Sequence, residues 1–318
     1  MISAAGRRAL DRYALAAREM SAASGDRSAR ETGSSVEFQD FRPYQPGDEL
    51  RAVDWRAYAR SRRLVTRLYR AERTIDVHVV LDVSPSMGLA GKLDYARIVA
   101  ELVSYVGQRD AITRVHTTAG ASSPVAQGRV GLARAWGLLE EAAPVAGVPG
   151  PVEGVRGFAL GLPKVRGAAL AVVISDLFDP RPWRPALVAL KARGLDAAFL
   201  QVVSDDDLNP AEGRFEVVDV ESDERRTIGP EEVRAYRAAV QAFLRRTRAA
   251  LAQAGVGHVL LRVPAGGGAP RPVPARRPSG GGRRGAAGGR SAPAAGAALD
   301  PERNALAALR RARILVPR

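Results

Sequence analysis

Five consecutive residues, Asp82, Val83, Ser84, Pro85 and Ser86, set one carboxylate and two hydroxyls at alternate positions. Such an oxygen-rich string suits magnesium, which takes octahedral oxygen ligands, uses one or two carboxylates and leaves positions for water or a partner. The hydroxyls can bind the ion directly, while Asp82 holds the ion or a ligated water. A second carboxylate, Asp176, ends the apolar run Ala168 to Ser175. If that run and the one before Asp82 are strands of one sheet, Asp82 and Asp176 project at the same edge. Asp179 stands close by, but Pro180 follows it, which suits a residue at the start of a helix. The structural alternative is capping: Asp82 and Ser84 can close the following turn, and Asp176 can be an N-cap. Two such residues at two strand ends favour a site.

Catalytic roles for the same residues lack partners. A strand-end Asp nucleophile of haloacid-dehalogenase type needs a second Asp two residues on as general acid, and Ser84 stands there. Ser84 or Ser86 as a nucleophile needs a base. The three histidines, His78, His116 and His258, fall within predicted strands and read as core or surface residues. The chain has no G-x-S-x-G and no Walker A sequence, so it encodes neither a hydrolase elbow nor a P-loop. It has no cysteine, which excludes disulfides, thiolate zinc sites and cysteine nucleophiles.

The elements that position these residues alternate. Ile75–Asp82, Ile112–Thr118, Ala168–Ser175, Leu195–Val203 and Val256–Val263 read as strands, and several are apolar enough to be buried on both faces. Lys92–Gln108, Val130–Ala142, Trp183–Arg193 and Glu231–Ala254 read as helices. Phe215–Ile228 reads as a hairpin around Ser222, Asp223 and Glu224. Strands alternating with helices predict an α/β fold: a doubly wound, mostly parallel, Rossmann-like sheet flanked by helices. Ligands of such sheets sit at the carboxyl ends of the strands.

The predicted organisation has five parts. Residues 1–35 are an N-terminal helix (Met1 to Ala23) and a flexible segment. Residues 36–74 form an Arg-rich elaboration, and its stretch Arg51 to Arg73, with 8 Arg, reads as strand or extended arm. Residues 75–263 are the α/β domain. Residues 264–298 are a disordered Gly/Pro/Arg insertion, with almost no large apolar side chain to offset ordering entropy. Residues 299–318 hold a C-terminal helix, with Pro301 at its first position.

The formal net charge is +14, carried by 45 Arg and 3 Lys. Residues 264–318 contribute 11 of those Arg against Asp300 and Glu302 alone, which leaves the first 263 residues at +5. The high charge thus describes the insertion and its last helix more than the folded part. No apolar run approaches the roughly 18 residues of a membrane span. The N-terminus lacks the apolar core of a secretory signal, so the expected compartment is the cytoplasm.

The stretch Val36 to Gly88 contains FRPYQPGDELRAVDWRAYAR, then LVTRLYRAE, then DVSPSMG. Together with VVISDLFDP (Val172 to Pro180), FEVVDVESDERRTIGP and GVGHVLLRV, it resembles the bacterial domain-of-unknown-function-58 family. The core of that family resembles a von Willebrand factor A domain. The resemblance covers Val36 to Val263, and ALAALRR looks like the family's closing helix. It implies a metal-ion-dependent adhesion site, with Asp82, Ser84, Ser86 and Asp176 as metal ligands and Mg²⁺ as the ion. The pattern's middle ligand is a Thr, yet no Thr lies between Thr118 and Thr227. The matching segment, Gly150 to Gly161, offers Glu153 as its side-chain oxygen donor.

The resemblance also implies a non-enzymatic function: a protein-binding module that works with a MoxR-type AAA+ ATPase in assembling or maturing a client protein complex. Many relatives carry transmembrane helices before this domain, and this chain resembles the shorter, soluble members. Two other classes compete. The Arg-rich segments can bind nucleic acid, although the insertion has no aromatic residue on which bases stack. A Mg²⁺-dependent hydrolase is the third, and it lacks an acid or base.

Overall fold

The computed structural model describes residues 2–15, 36–46, 53–71, 75–148, 150–165, 167–211, 213–218, 225–264, 301–311 and 314–317. The chain divides into two compact units, residues 25–74 and the remainder. The insertion expected over 264–298 lies, apart from Pro264, outside the described residues.

The chain begins with α1 (Ala4–Leu10), capped by Ser3, whose Oγ accepts from the Gly6 N–H at 2.9 Å. Strand β1 (Tyr13–Leu15) follows. The helix expected over Met1 to Ala23 is thus much shorter at its start, because Tyr13 to Leu15 find backbone partners elsewhere; residues 16–23 lie outside the described residues.

In the smaller unit, β2 (Val36–Pro43) pairs with a later strand, and α2 (Trp55–Ser61) lies between the two in sequence. Antiparallel β3 (Val65–Ala71) completes the pair, with an irregularity between Phe38 and Asp40. The expectation of a strand or arm across Arg51 to Arg73 is corrected in its first part. Asp54 Oδ1 accepts from the Arg56 and Ala57 N–H groups at 2.9 and 3.0 Å and so starts a helix there. The helix stops at Arg62, which takes a left-handed conformation with φ of 58°.

The larger unit continues with β4 (Ile75–Leu81), a 3₁₀ turn (Pro85–Gly88), α3 (Lys92–Asp110) and β5 (Ala111–Thr117). Helices α4 (Gly128–Glu141) and α5 (Pro151–Gly161) precede β6 (Ala169–Ser175). Then come α6 (Arg184–Ala192), β7 (Asp196–Val203) and the single turn α7 (Asp205–Leu208). A hairpin of β8 (Phe215–Val218) and β9 (Arg225–Ile228) leads to α8 (Pro230–Gln253) and β10 (Gly257–Arg262). Helix α9 (Pro301–Arg311) and β11 (Leu315–Pro317) close the chain. β11 pairs antiparallel with β1, so the two described ends meet.

Five strands form one sheet in the order β10-β7-β6-β4-β5, every neighbouring pair parallel. Alternate residues of each strand feed opposite cores. Val77, Val79, Leu170, Val172 and Ile174 pack with Val99, Val103 and Leu139 of α3 and α4. Val80, Val173 and Phe199 pack with Val155, Leu190 and Leu251 of α5, α6 and α8. Helices therefore cover both faces, and the fold is a doubly wound α/β sheet, as the alternation predicts. Strand β6, buried at all seven positions, is its centre. The chain leaves β4 toward β5 on one side and returns to β6 on the other, so strand order reverses at β4. Such reversals open a crevice at the carboxyl edge.

Candidate functional site

The loops that follow β4, β6 and β7 gather at that edge. Asp82 directly follows β4, and its N–H donates to the Ile174 carbonyl of β6 at 2.9 Å, which ties the two strand ends together. Its carboxylate is closed to solvent and held by three donors. Ser175 Oγ donates to Oδ2 at 2.6 Å; the Ser84 N–H and Thr118 Oγ1 donate to Oδ1 at 2.9 and 3.2 Å. Thr118 Oγ1 in turn accepts from the Val83 N–H at 3.1 Å. Burial and the nearby Asp176 carboxylate push the Asp82 pKa up to about 6, against the hydrogen bonds from Ser175 and Ser84.

Ser84 is buried, and its Oγ lies 3.2 Å from the Oγ of half-buried Ser86. Asp82 thus does perform the local turn closure that capping predicts, and it does so while gathering hydroxyls from two other segments, Thr118 after β5 and Ser175 at the end of β6.

Asp176 follows β6, also closed to solvent. Its Oδ1 accepts from the Phe178 N–H at 3.1 Å, and its backbone carbonyl accepts from Gln201 Nε2 of β7 at 2.8 Å. Gln201 Oε1 lies 2.9 Å from His258 Nε2 on β10. The other carboxylate oxygen, Oδ2, meets an ammonium: Lys92 Nζ lies 2.8 Å away. Lys92 opens α3 and is only 1% exposed. The same Nζ lies 3.4 Å from Asp207 Oδ1 of α7 and 5.4 Å from the centre of the Phe178 ring. Asp207 is itself fixed, because Ser204 and Asp207 form a reciprocal capping box.

Backbone strain flanks this pair. Leu177, next to Asp176, has φ of 60°, and Ala90, two residues before Lys92, has φ of 50°. A left-handed L-residue costs about 1–2 kcal/mol. The buried Leu177 side chain, packed in the same core as Val173 and Trp183, offsets that cost.

Asp179 does not join the site. Its Oδ2 accepts from the Val152 N–H at the start of α5, and Arg181 grips both its oxygens, at 2.9 and 2.7 Å. It caps a helix, though one from an earlier segment and not the one it precedes. Glu153 lies in the first turn of α5, paired with Arg156 at 3.0 Å. His78 and His116 are buried against each other, Nδ1 to Nε2 at 3.0 Å, with His116 Nδ1 2.8 Å from Ser122 Oγ.

A family model described as "Protein of unknown function DUF58" matches residues 40–250. The chain belongs to this family. Among curated relatives of the DUF58 chain, uncharacterized proteins of Mycobacterium tuberculosis and Mycobacterium bovis are 29% identical over 180 residues. The matched stretch is 53% of this chain, and the chain spans about half the length (56%) of those relatives. Among solved structures, a von Willebrand factor type A protein from Catenulispora acidiphila matches with a TM-score of 0.35 at 13% identity, over 63% of this chain and 41% of that one. At that score the likeness adds nothing to what the sheet's own topology shows.

The family resemblance implies magnesium at Asp82, Ser84, Ser86 and Asp176, and the residues as arranged do not fit it. An ammonium already sits at hydrogen-bond distance from Asp176 Oδ2. Both oxygens of Asp82 are engaged by protein donors, and the hydroxyls of Ser84 and Ser86 face each other. The segment that should supply the Thr ligand is helical, with its one carboxylate turned to Arg156. Among the described residues, no group of three or more His, Asp or Glu is placed to hold a metal ion.

Sequence reasoning found Asp82, Ser84, Ser86 and Asp176, and the structure brings them to one edge. It missed Lys92, Thr118, Ser175, Gln201 and Asp207. One signal was available. Lys92 is one of three lysines in a chain that uses arginine 45 times.

Proposed function

We propose that this DUF58 chain is a non-enzymatic protein-binding module of von Willebrand factor A type, and that it works with a MoxR-type AAA+ ATPase in assembling or maturing a client complex. The observation that carries this reading is the chemistry of the sheet's carboxyl edge. The hydroxyls and carboxylates there bond one another and the backbone, mostly out of solvent, which suits a rigid frame beneath the edge better than a reacting centre. Ser84 Oγ faces Ser86 Oγ, and the three histidines bond elsewhere, His78 and His116 to each other and Ser122, and His258 to Gln201. None of them is therefore placed as the histidine base of a nucleophilic serine. No helix among the described residues is long and apolar enough to cross a membrane.

Gel filtration of the full chain with the MoxR-type ATPase of the same genome tests the proposal. The expected result is one co-eluting peak. Separate elution at micromolar concentrations, or steady phosphatase or esterase turnover that Asp82→Ala abolishes, would overturn it.

A further inference from the structure

We infer that the Lys92 ammonium is the resident cation of this edge, holding the loops after β4, β6 and β7 together in the place where metal-dependent adhesion sites hold a divalent ion. The inference concerns the chain alone and does not depend on the protein-binding reading.

Four observations carry it. The first is reach. Lys92 comes from the segment after β4, Asp176 and Phe178 from the loop after β6, and Asp207 from the turn after β7; one Nζ from the first segment meets the other two, at 2.8 Å and 5.4 Å to the ring centre in the loop after β6, and at 3.4 Å in the turn after β7. A bridging metal performs the same cross-linking.

The second is charge. Asp82 and Asp176 are both closed to solvent, and Asp176 bears electrostatically on Asp82. A positive charge beside Asp176 offsets the cost of keeping its carboxylate ionised next to a second one. Lys92 supplies it from within the chain.

The third is residue type. Among the described residues Lys92 is the one buried lysine or arginine, while Lys164 and Lys191 are exposed. An ammonium is a compact charge with three donors on a four-carbon stem, whereas guanidinium is a planar fork. The chain places its rare lysine where a point charge fits between carboxylates and a ring face.

The fourth is backbone. Ala90 and Gly91, with φ of 50° and 71°, both take the left-handed conformation immediately before Lys92. That pair of turns sets the start of α3, and the lysine stem, against the loop after β6. Glycine tolerates this conformation freely and alanine does not, so Ala90 is strained beside the pair.

Two measurements on the full chain test the inference. In the first, Mn²⁺ is titrated into the chain and free ion is followed by electron paramagnetic resonance. The expected result is no bound ion that depends on Asp176; one ion bound per chain and lost in Asp176→Asn would overturn the inference. In the second, Lys92→Met is compared with the wild type by urea unfolding, both with EDTA and with Mg²⁺. The expected result is a folding equilibrium constant lowered by at least about tenfold and a wild type indifferent to EDTA. Unchanged stability of Lys92→Met, or a wild type destabilised by EDTA, would overturn it. If Lys92→Met yields no folded chain, the wild-type arms with Mn²⁺ and EDTA decide alone.

Discussion

Lys92 Nζ and Asp176 Oδ2 lie 2.8 Å apart, with both side chains closed to solvent. A buried pair of this kind is costly to break from one side, because the survivor keeps an uncompensated charge. Lys92→Met or Asp176→Asn alone should each cost about 3–5 kcal/mol. The double variant should cost less than the sum, with a coupling of at least about 1 kcal/mol. Urea unfolding of the four chains gives this cycle directly; additive losses would show that the pair does not act as a unit.

Thr118, the residue after β5, braces Asp82, donating to its carboxylate and accepting from the Val83 N–H. Thr118→Val keeps the shape and removes both bonds, leaving buried groups unpaired, for an expected loss of about 1–3 kcal/mol. Gly154 of α5 approaches the same residue. A Cβ there would lie 2.6 Å from Thr118 Cβ, so Gly154→Ala should cost about 1–3 kcal/mol through overpacking. Thr118→Ser retains the hydroxyl and should lose clearly less than Thr118→Val in the same unfolding assay.

Stability should fall in mild acid because of the two buried histidines. Burial, and then Arg114, lowers His78 to about 4; burial, then His78 and Arg114, lower His116 to about 3. Unfolded imidazole titrates near 6.5, so the unfolded chain binds these protons first. Stability is full above that pH and falls toward pH 4 by about 1.4 kcal/mol per pH unit for each ring. Asp82, raised to about 6, works in the opposite sense below pH 6 and offsets one ring. The double variant His78→Leu/His116→Leu should flatten or reverse the slope between pH 6.5 and pH 4.5; a slope equal to the wild type would contradict this assignment.

Asp179 should matter for α5 and not for the edge chemistry. Burial tends to raise its pKa, yet hydrogen bonds from Arg181 and the Val152 N–H hold it below the usual carboxylate range. Its contribution is present above that range and is lost as pH falls through the lowered value. Asp179→Ala removes the cap on α5 and should cost about 0.5–2 kcal/mol. Hydrogen exchange should rise first in Val152 to Val155, and equal protection there would refute the cap.

The sheet was legible because each central strand is a short, β-branched apolar run, and a strand's end is a local property. Asp82 and Asp176 could therefore be placed at an edge from their own neighbours. Lys92 could not. A lysine at a helix start reads as solvated, and only the sheet order brings α3 beside the loops after β6 and β7. Helix α5 was missed because four glycines fall among its residues, Gly154, Gly157 and Gly161 inside and Gly150 at the cap, and glycine weakens any helix signal. Strands β1 and β11 carry no local signal at three residues each; pairing across the whole chain creates them. Helix α2 was misread because alternation of arginine with apolar residues fits a strand until Asp54 is recognised as an N-cap.

If the proposed binding runs through the carboxyl edge around half-buried Ser86, a bulky charge there should block it. Calorimetric titration of the MoxR-type ATPase with wild type, Ser86→Arg and Gln253→Arg decides this. Gln253 is exposed at the end of α8, just before β10 begins, and its variant adds the same charge at the opposite, amino edge of the sheet. Ser86→Arg should weaken binding by at least about tenfold, while Gln253→Arg should bind like the wild type. Equal affinity for Ser86→Arg and wild type would refute a binding role for this edge.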